Sequence, residues 1–254
     1  MERILKKIHR MLSFILSVNW CQTFRINFKM LPFKKAKKMP VLIFGRVKIK
    51  DLSGKITFNC PIKTGLLLLG CKYEMNTMSD KTEYLKISGE IVVNGIFACG
   101  PCYHIIVNEN SKLILGHLSS LGRSGTIICT KYIELGDYAR IGFNSLVSDS
   151  NYHKMIDLET NKILPMNSSI IIGSYNYIGS NVAIQTKTIT PNFCTIASFS
   201  LCSKDYTNLG ENILLAGYPA KLVRNNIVRD WDGEKESLMN SFDIENKFRR
   251  NKIL

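Results

Sequence analysis

Aliphatic residues recur every six positions through the second half of the chain. That beat is the strongest constraint on how the chain can fold. Leu115, Leu121 and Ile127 are six apart, and Gly follows the first two. After a two-residue slip between Ile127 and Cys129, the series runs through Leu135, Ile141 and Val147. It resumes at Ile172, Ile178, Ile184, Thr190, Ile196 and Cys202. Such a beat describes a coil with three short faces, each turning one side chain inward. The next residue sits at a tight corner, where glycine or a small polar residue is favoured. Coils of this kind stack on their neighbours as a β-solenoid.

The beat breaks once. Between Val147 and Ile172 runs a polar loop that opens Ser148-Asp149-Ser150-Asn151-Tyr152-His153 and continues to about Ser169. A scaffold that presents a single loop from a regular repeat places its chemistry on that loop.

Before residue 110 the beat is ragged, and β-propensity has to carry the reading. Short runs at Val41 to Phe44, Lys55 to Phe58, Leu66 to Leu69, Ile91 to Val93, Ile105 to Val107 and Leu113 to Leu115 predict strands. Residues 2–18 instead place Ile4, Leu5, Ile8, Met11, Leu12, Ile15 and Leu16 at helical spacing, with Arg3, Lys6, Lys7 and Arg10 opposite. Such a helix lies in a membrane interface or packs on the protein's own core or a sister subunit. Phe24 to Phe28 alternates like a strand. Pro32 to Pro40, with four lysines, reads as a connector with one short turn. Past the last coil, residues 223–231 predict a short helix ending near Trp231. Asp232 to Leu254 reads as a further helix or a loose tail.

Charge is concentrated at one end. The net charge is +14, and residues 1–50 hold 13 Lys/Arg against the single acid Glu2. This basic arm suits an anionic membrane surface, an acidic polymer or a merely solvated face. The lysine cluster within Leu31 to Pro40 lacks aromatic interleaving and any recognisable nucleic-acid motif, so nucleic acid is not expected as a partner. Eight cysteines at irregular spacing predict free thiols in a reducing cytoplasm. No stretch has the apolar length of a spanning helix, and residues 11–18 lack a signal cleavage pattern.

Cys99-Gly100-Pro101-Cys102 imitates a redox motif. That chemistry needs a helix after the first thiol, whereas Tyr103 to Val107 reads as a strand. The motif fits a coil corner better. No second pair of Cys or His stands at metal spacing, and no metal is expected.

General acid–base chemistry on such a loop needs a base that can take a proton near neutral pH. Imidazole, with a reference pKa near ~6.5, can serve as that base. Of His9, His104, His117 and His153, only His153 lies in the loop that breaks the repeat. Asp149 either orients that imidazole or caps a turn.

These features together resemble the hexapeptide-repeat acyltransferases with a left-handed parallel β-helix. The similarity is to the serine-type and polysaccharide O-acetyltransferase branch, with the xenobiotic acetyltransferases as cousins. It rests on the repeats, the loop Ser148 to His153, the run Ile172 to Gly179, and the closing segment Gly217-Tyr218-Pro219-Ala220-Lys221. It is strong over about residues 110–224 and weak over 41–110. The resemblance implies a homotrimer, acetyl-CoA as donor between neighbouring coils, and His153 as general base, with Asp149 at an acidic position of the loop. It places Tyr177, Lys187, Ser198, Ser200, Lys221 and Arg224 as candidate cofactor contacts. The chain departs from the family's pattern at Tyr177, where Trp is usual, and at Lys187, where Gly is usual. Phe199 also stands for a glycine in a segment that lies against the pantetheine arm.

The expected organisation is a basic helix and connector over 1–40, a mainly β, left-handed β-helix acyltransferase domain over 41–222 with its catalytic loop at about 148–169, and a helix or tail over 223–254. The expected activity is acetylation of a sugar hydroxyl in surface-polysaccharide assembly. The alternatives are N-acetylation of an amino-sugar nucleotide and a catalytically silent scaffold. The expected location is the cytoplasm, with peripheral membrane contact through residues 1–38.

Overall fold

The computed structural model describes residues 9, 12–72 and 82–244. The chain winds through seven three-faced coils. Coil 1 comprises β1 (Val41–Ile43), β2 (Val47–Asp51) and β3 (Lys55–Phe58). Coil 2 is β4 (Leu67–Leu69), β5 (Glu83–Ile87) and β6 (Glu90–Val93). Coil 3 is β7 (Phe97–Cys99), β8 (His104–Val107) and β9 (Lys112–Leu115). Coil 4 is β10 (Ser119–Leu121), β11 (Thr126–Cys129) and β12 (Tyr132–Leu135). Coil 5 begins with β13 (Arg140–Ile141) and β14 (Leu146–Ser148). It leaves the solenoid for a hairpin of β15 (Met155–Asp157) and β16 (Lys162–Leu164), then returns as β17 (Ile170–Ile172). Coil 6 holds β18 (Tyr177–Ile178) and β19 (Ala183–Gln185), and coil 7 holds β20 (Cys194–Ile196) and β21 (Leu201–Cys202). On their third faces these two coils continue as the single bridges Ile171↔Ile189 and Ile189↔Asp205. The antiparallel pair β22 (Ile213–Gly217) and β23 (Ala220–Asn225) closes the far end.

Stacked coils pair in parallel, so each face is a sheet and the inward residues form columns. On the first face the register links Leu69, Cys99, Leu121, Ile141, Ile178, Ile196 and Leu215. All are buried. Burying one such aliphatic side chain contributes roughly 1.5–3 kcal/mol. The two-residue slip has a structural cause. In β11 both Ile127 and Cys129 point inward, so Leu121 pairs with Ile141, twenty residues on. In the later, shorter coils Ile178 pairs with Ile196, eighteen residues on. The early raggedness has the same origin, since Leu67 pairs with Phe97 across a coil of thirty.

Thr190 and Cys202, imperfect for the beat, are both interior. The Thr190 hydroxyl donates to Asn176 Oδ1 at 2.8 Å and accepts the Gly173 N–H at 3.0 Å. Its polarity is thereby satisfied inside the core.

The open edge of β1 is covered by helix α1 (Trp20–Met30). The Asn27 side chain accepts from Val41 N at 3.2 Å and donates to Val41 O at 2.7 Å. Thr23 Oγ1 accepts from Ile43 N at 3.0 Å. These side chains replace a missing strand, an economical way to blunt an edge. The strand expected at Phe24 to Phe28 is therefore corrected to helix. Burial follows Thr23, Ile26 and Asn27 at helical spacing, while Phe24 and Phe28 both face out. The connector carries one short helix, α2 (Phe33–Ala36). Of the leader helix expected over 2–18, residues 12–17 are helical, and residues 1–8 and 10–11 lie outside the described residues.

At the C-terminus the short helix expected over 223–231 is corrected, since residues 223–225 belong to β23, while the helix expected beyond it is present as α3 (Trp231–Phe242). Asp230 caps it by accepting the Gly233 N–H at 3.0 Å. Helix α3 packs on the corner between the third and first faces. There the rings of Tyr138, Tyr175 and Phe193 stack at 4.7 and 4.8 Å, and Trp231 meets Tyr175 edge-on at 5.7 Å. Lys63 Nζ holds Asp243 at 2.7 Å. Residues 245–254 lie outside the described residues. Among the described residues no helix is long and apolar enough to cross a membrane.

Candidate active site

Asp149 begins the loop from inside the wall. Its carboxylate is fully buried and accepts four hydrogen bonds from the preceding coil. Thr130 N and Thr130 Oγ1 donate at 2.8 Å, Lys131 N at 2.7 Å and Tyr132 N at 2.9 Å. The loop base is then stapled shut. Ser168 N donates to Asp149 O at 3.0 Å, and Asn151 N to Met166 O at 3.1 Å. The Ser150 hydroxyl also donates to Met166 O, at 3.1 Å.

Above that base Tyr152 takes a left-handed φ of +59°, and its hydroxyl pairs with the Asn108 side chain two coils back. Desolvation raises the Tyr152 phenol above its ordinary range. His153 follows with an exposed imidazole. Its backbone N–H donates to Asn151 Oδ1 at 3.3 Å. Asp149 therefore does not orient His153: its carboxylate is taken up by backbone and hydroxyl donors on the other side. Of its two expected roles, these bonds are those of a turn cap.

The loop leaves at the corner between the second and third faces. Lys187 stands at that corner one coil on, exposed and at φ +72°. Lys204 lies there one coil further, with its carbonyl accepting Ile189 N at 3.2 Å. The other candidates are elsewhere on the circumference. Ser198 is exposed at the corner between the first and second faces, where its hydroxyl accepts Ser180 N at 3.0 Å. Ser200 is buried and accepts Gly217 N at 3.1 Å, a structural bond that takes up its hydroxyl oxygen. Tyr177 lies on the first face, with the Arg229 guanidinium 4.2 Å from its ring centroid. Lys221 and Arg224 are exposed on β23 of that same sheet. One copy of the chain thus brings His153 and Lys187 to one edge and spreads the rest over two others. Phe199, at φ +60°, is 72% exposed and turned away from the core.

The same corner carries a feature that sequence reasoning missed. A groove of about 450 Å³ runs over coils 1 to 3, lined by Ser53, Gly54, Lys55, Ser88, Gly89, Glu90, Asn110, Ser111 and Lys112. Its floor is glycine because the coils touch there: a Cβ on Gly54 would lie 2.0 Å from Gly89 O. Lys55 pairs with Glu90 at 3.2 Å along it. Hydroxyls of Ser53 and Ser88 on Asp51 hold that carboxyl below its usual value. The available signal was the recurrence of Ser-Gly at 53–54 and 88–89. Lys204 was also detectable, one short coil after Lys187.

The remaining titratable groups argue against other chemistries. All eight cysteines are free thiols. Burial pushes the Cys99 thiol well above its ordinary value, the reverse of a redox-active thiol, and Cys102 leads into strand β8. His117 is half-buried, and desolvation lowers its imidazole. Its Nδ1 accepts the Ile96 N–H at 3.2 Å. Among the described residues no group of three His, Cys, Asp or Glu is placed to hold a metal.

No family model matches the chain. It is 28% identical over 207 residues to an "Uncharacterized 24.8 kDa protein in cps region" of Klebsiella pneumoniae, covering 82% of this chain and 89% of that protein. It is 26% identical over 125 residues to a polysialic acid O-acetyltransferase of Escherichia coli O1:K1 / APEC, covering 49% of this chain and 40% of that enzyme. Among solved structures, the polySia-specific acetyltransferase NeuO aligns with a TM-score of 0.56 and 19% identity, over 72% of this chain and 71% of that one. The fold is the left-handed β-helix of the hexapeptide-repeat acetyltransferases.

Proposed function

We propose that this protein is an acyl-CoA-dependent O-acetyltransferase acting on a sugar hydroxyl of a surface polysaccharide. The observation that carries the reading is the anchoring of one loop. Asp149 bolts the loop to coil 4, and the loop presents an exposed imidazole, His153, at an edge with a cation on the next coil. Exposure leaves that imidazole free to approach an acceptor hydroxyl. It takes the hydroxyl proton as the oxygen attacks the thioester carbonyl, and returns a proton to the departing thiolate. The acceptor class is supported by the capsule-region relative and by the polysialic acid O-acetyltransferase. The groove on the same edge is polar, with Lys112 beside the Lys55–Glu90 pair, and suits an extended saccharide.

Acetyl-CoA fits as donor on the chemistry of the cations present. Lys187 at the histidine's edge, and Lys221 and Arg224 on β23, supply positive charge for its phosphates. Tyr177 and Ser198 lie between these groups as further contacts. One chain does not bring them together, and this supports a homotrimer in which neighbouring copies share each cleft. The loop hairpin also exposes Met155, Ile156, Leu158 and Ile163, with Leu158 at 91%, an apolar tip suited to a second copy. The reading places the enzyme in the cytoplasm.

Thiol release from acetyl-CoA, measured with neutral and acidic oligosaccharide acceptors, tests the reading. Acceptor-dependent release with an alkali-labile product supports O-acetylation. An alkali-stable product from an amino-sugar nucleotide supports the N-acyl alternative. Neither binding nor turnover of any acyl-CoA leaves a silent scaffold.

A further inference from the structure

Helix α1 turns an unusual face to solvent. Trp20, Phe24 and Phe28 repeat every four residues, and Phe33 extends the line. Consecutive ring centroids are 5.9, 6.2 and 6.0 Å apart, so the four rings form one continuous row. They are 38%, 46%, 45% and 70% exposed. Leu12, Ile15 and Leu16 extend the apolar strip, with Leu16 at 82%. Folding does not require this face. The helix is fixed from its other side by Thr23, Ile26 and Asn27.

Cations border the row. Arg25, Lys29, Lys34, Lys35 and Lys37 are all exposed, and no acidic residue occurs between Glu2 and Asp51. Aromatic rings beside lysine and arginine are the composition that seats at the headgroup level of a bilayer, with anionic lipid answering the positive charge. The row also lies at one end of the solenoid, where α1 covers the edge of coil 1.

We propose that the aromatic row of α1 docks the coil-1 end of the protein on an anionic phospholipid surface. This goes beyond the acyl-transfer reading and does not depend on it. The geometry gives the docking a consequence. Coil 5, which carries the His153 loop, lies four coil spacings away, about 19 Å at ~4.8 Å per coil. The groove over coils 1 to 3 lies between the two ends on the same edge as that loop. Docking holds the loop at a fixed height above the lipid, facing material that extends from it.

The test uses the full chain, without donor or acceptor, and sedimentation with vesicles of phosphatidylcholine alone or with added phosphatidylglycerol. The account predicts binding to the anionic vesicles, weakened by salt, and a blue shift of Trp20 emission measured with Trp231 replaced by Phe. Substituting Phe24→Ser, Phe28→Ser and Phe33→Ser together should weaken binding by about tenfold or more, given the burial each ring would lose. These side chains are exposed, so an unchanged melting curve confirms that the variant folds. Absence of binding overturns the proposal. Binding that survives the triple substitution overturns the role of the rings and leaves only charge. A fall in oligomeric state of the lipid-free variant assigns the row to a contact between copies instead.

Discussion

The carboxylate of Asp149 accepts the backbone N–H of Lys131 at 2.7 Å, across the boundary between two coils. This bond and its three companions make Asp149 a bolt for the loop and turn it away from His153. Replacing it with Ala strands buried donors, at about 1–3 kcal/mol for an unmet buried group. Asp149→Ala should therefore lower unfolding stability by about 3 kcal/mol and reduce turnover through loop disorder. The pH dependence of kcat/KM should keep its acid limb, because the carboxylate does not touch the imidazole. A displaced limb in Asp149→Asn would show that the two groups are coupled.

Trp231 is the hinge pin of the C-terminal helix. It meets Tyr138 and Tyr175 edge-on at 6.4 and 5.7 Å and is buried. Trp231→Ala should cost about 3–5 kcal/mol and release α3 from the solenoid. Amide exchange should then rise in α3 while the columns of coils 3 to 7 stay protected.

Glu83 is buried at the second-face wall, with Oε2 lacking a hydrogen-bond partner among the described residues. Desolvation raises its carboxyl above the ordinary value of 4.5. The folded chain then holds a proton that the unfolded chain releases, so stability falls as pH rises from 4.5 through the raised value. Glu83→Gln removes that loss. Thermal melts should show the variant more stable than the wild type at pH 7.5, with the gap closing as pH falls toward 4.5. A gap independent of pH would contradict this.

Phe199 and Lys187 occupy left-handed corners, at φ +60° and +72°, where glycine pays no steric cost. Phe199→Gly should leave stability unchanged or raise it by up to about 1 kcal/mol. The ring is exposed, so no core packing is lost. Chemical denaturation of the variant checks this, and a loss above 1 kcal/mol would show that the ring is packed in solution.

Legibility followed the physics of each segment. The coils from 115 to 202 were readable because one inward aliphatic per face leaves a fixed period. The early coils were not, because Leu67 and Phe97 pair thirty residues apart, which is no multiple of the later coil of eighteen. Helix α1 was misread because its exposed Phe24 and Phe28 mimic a strand's alternation, while its buried contacts are polar, through Thr23 and Asn27. His153 was legible from the break in the beat. The part played by Asp149 was not, since proximity in sequence says nothing about which side of the wall a carboxylate faces. The dispersal of Tyr177, Ser198, Lys221 and Arg224 around the circumference follows from which face each coil segment occupies.

The central claim is that the exposed imidazole of His153 takes the proton from the acceptor. The most direct measurement is kcat/KM for acetyl-CoA-dependent acylation of an oligosaccharide by wild type and by His153→Ala. The side chain is exposed, so the variant should melt with the wild type. The account predicts a loss of about 10²–10⁴-fold. Turnover within twofold of wild type, from a folded variant, would contradict it.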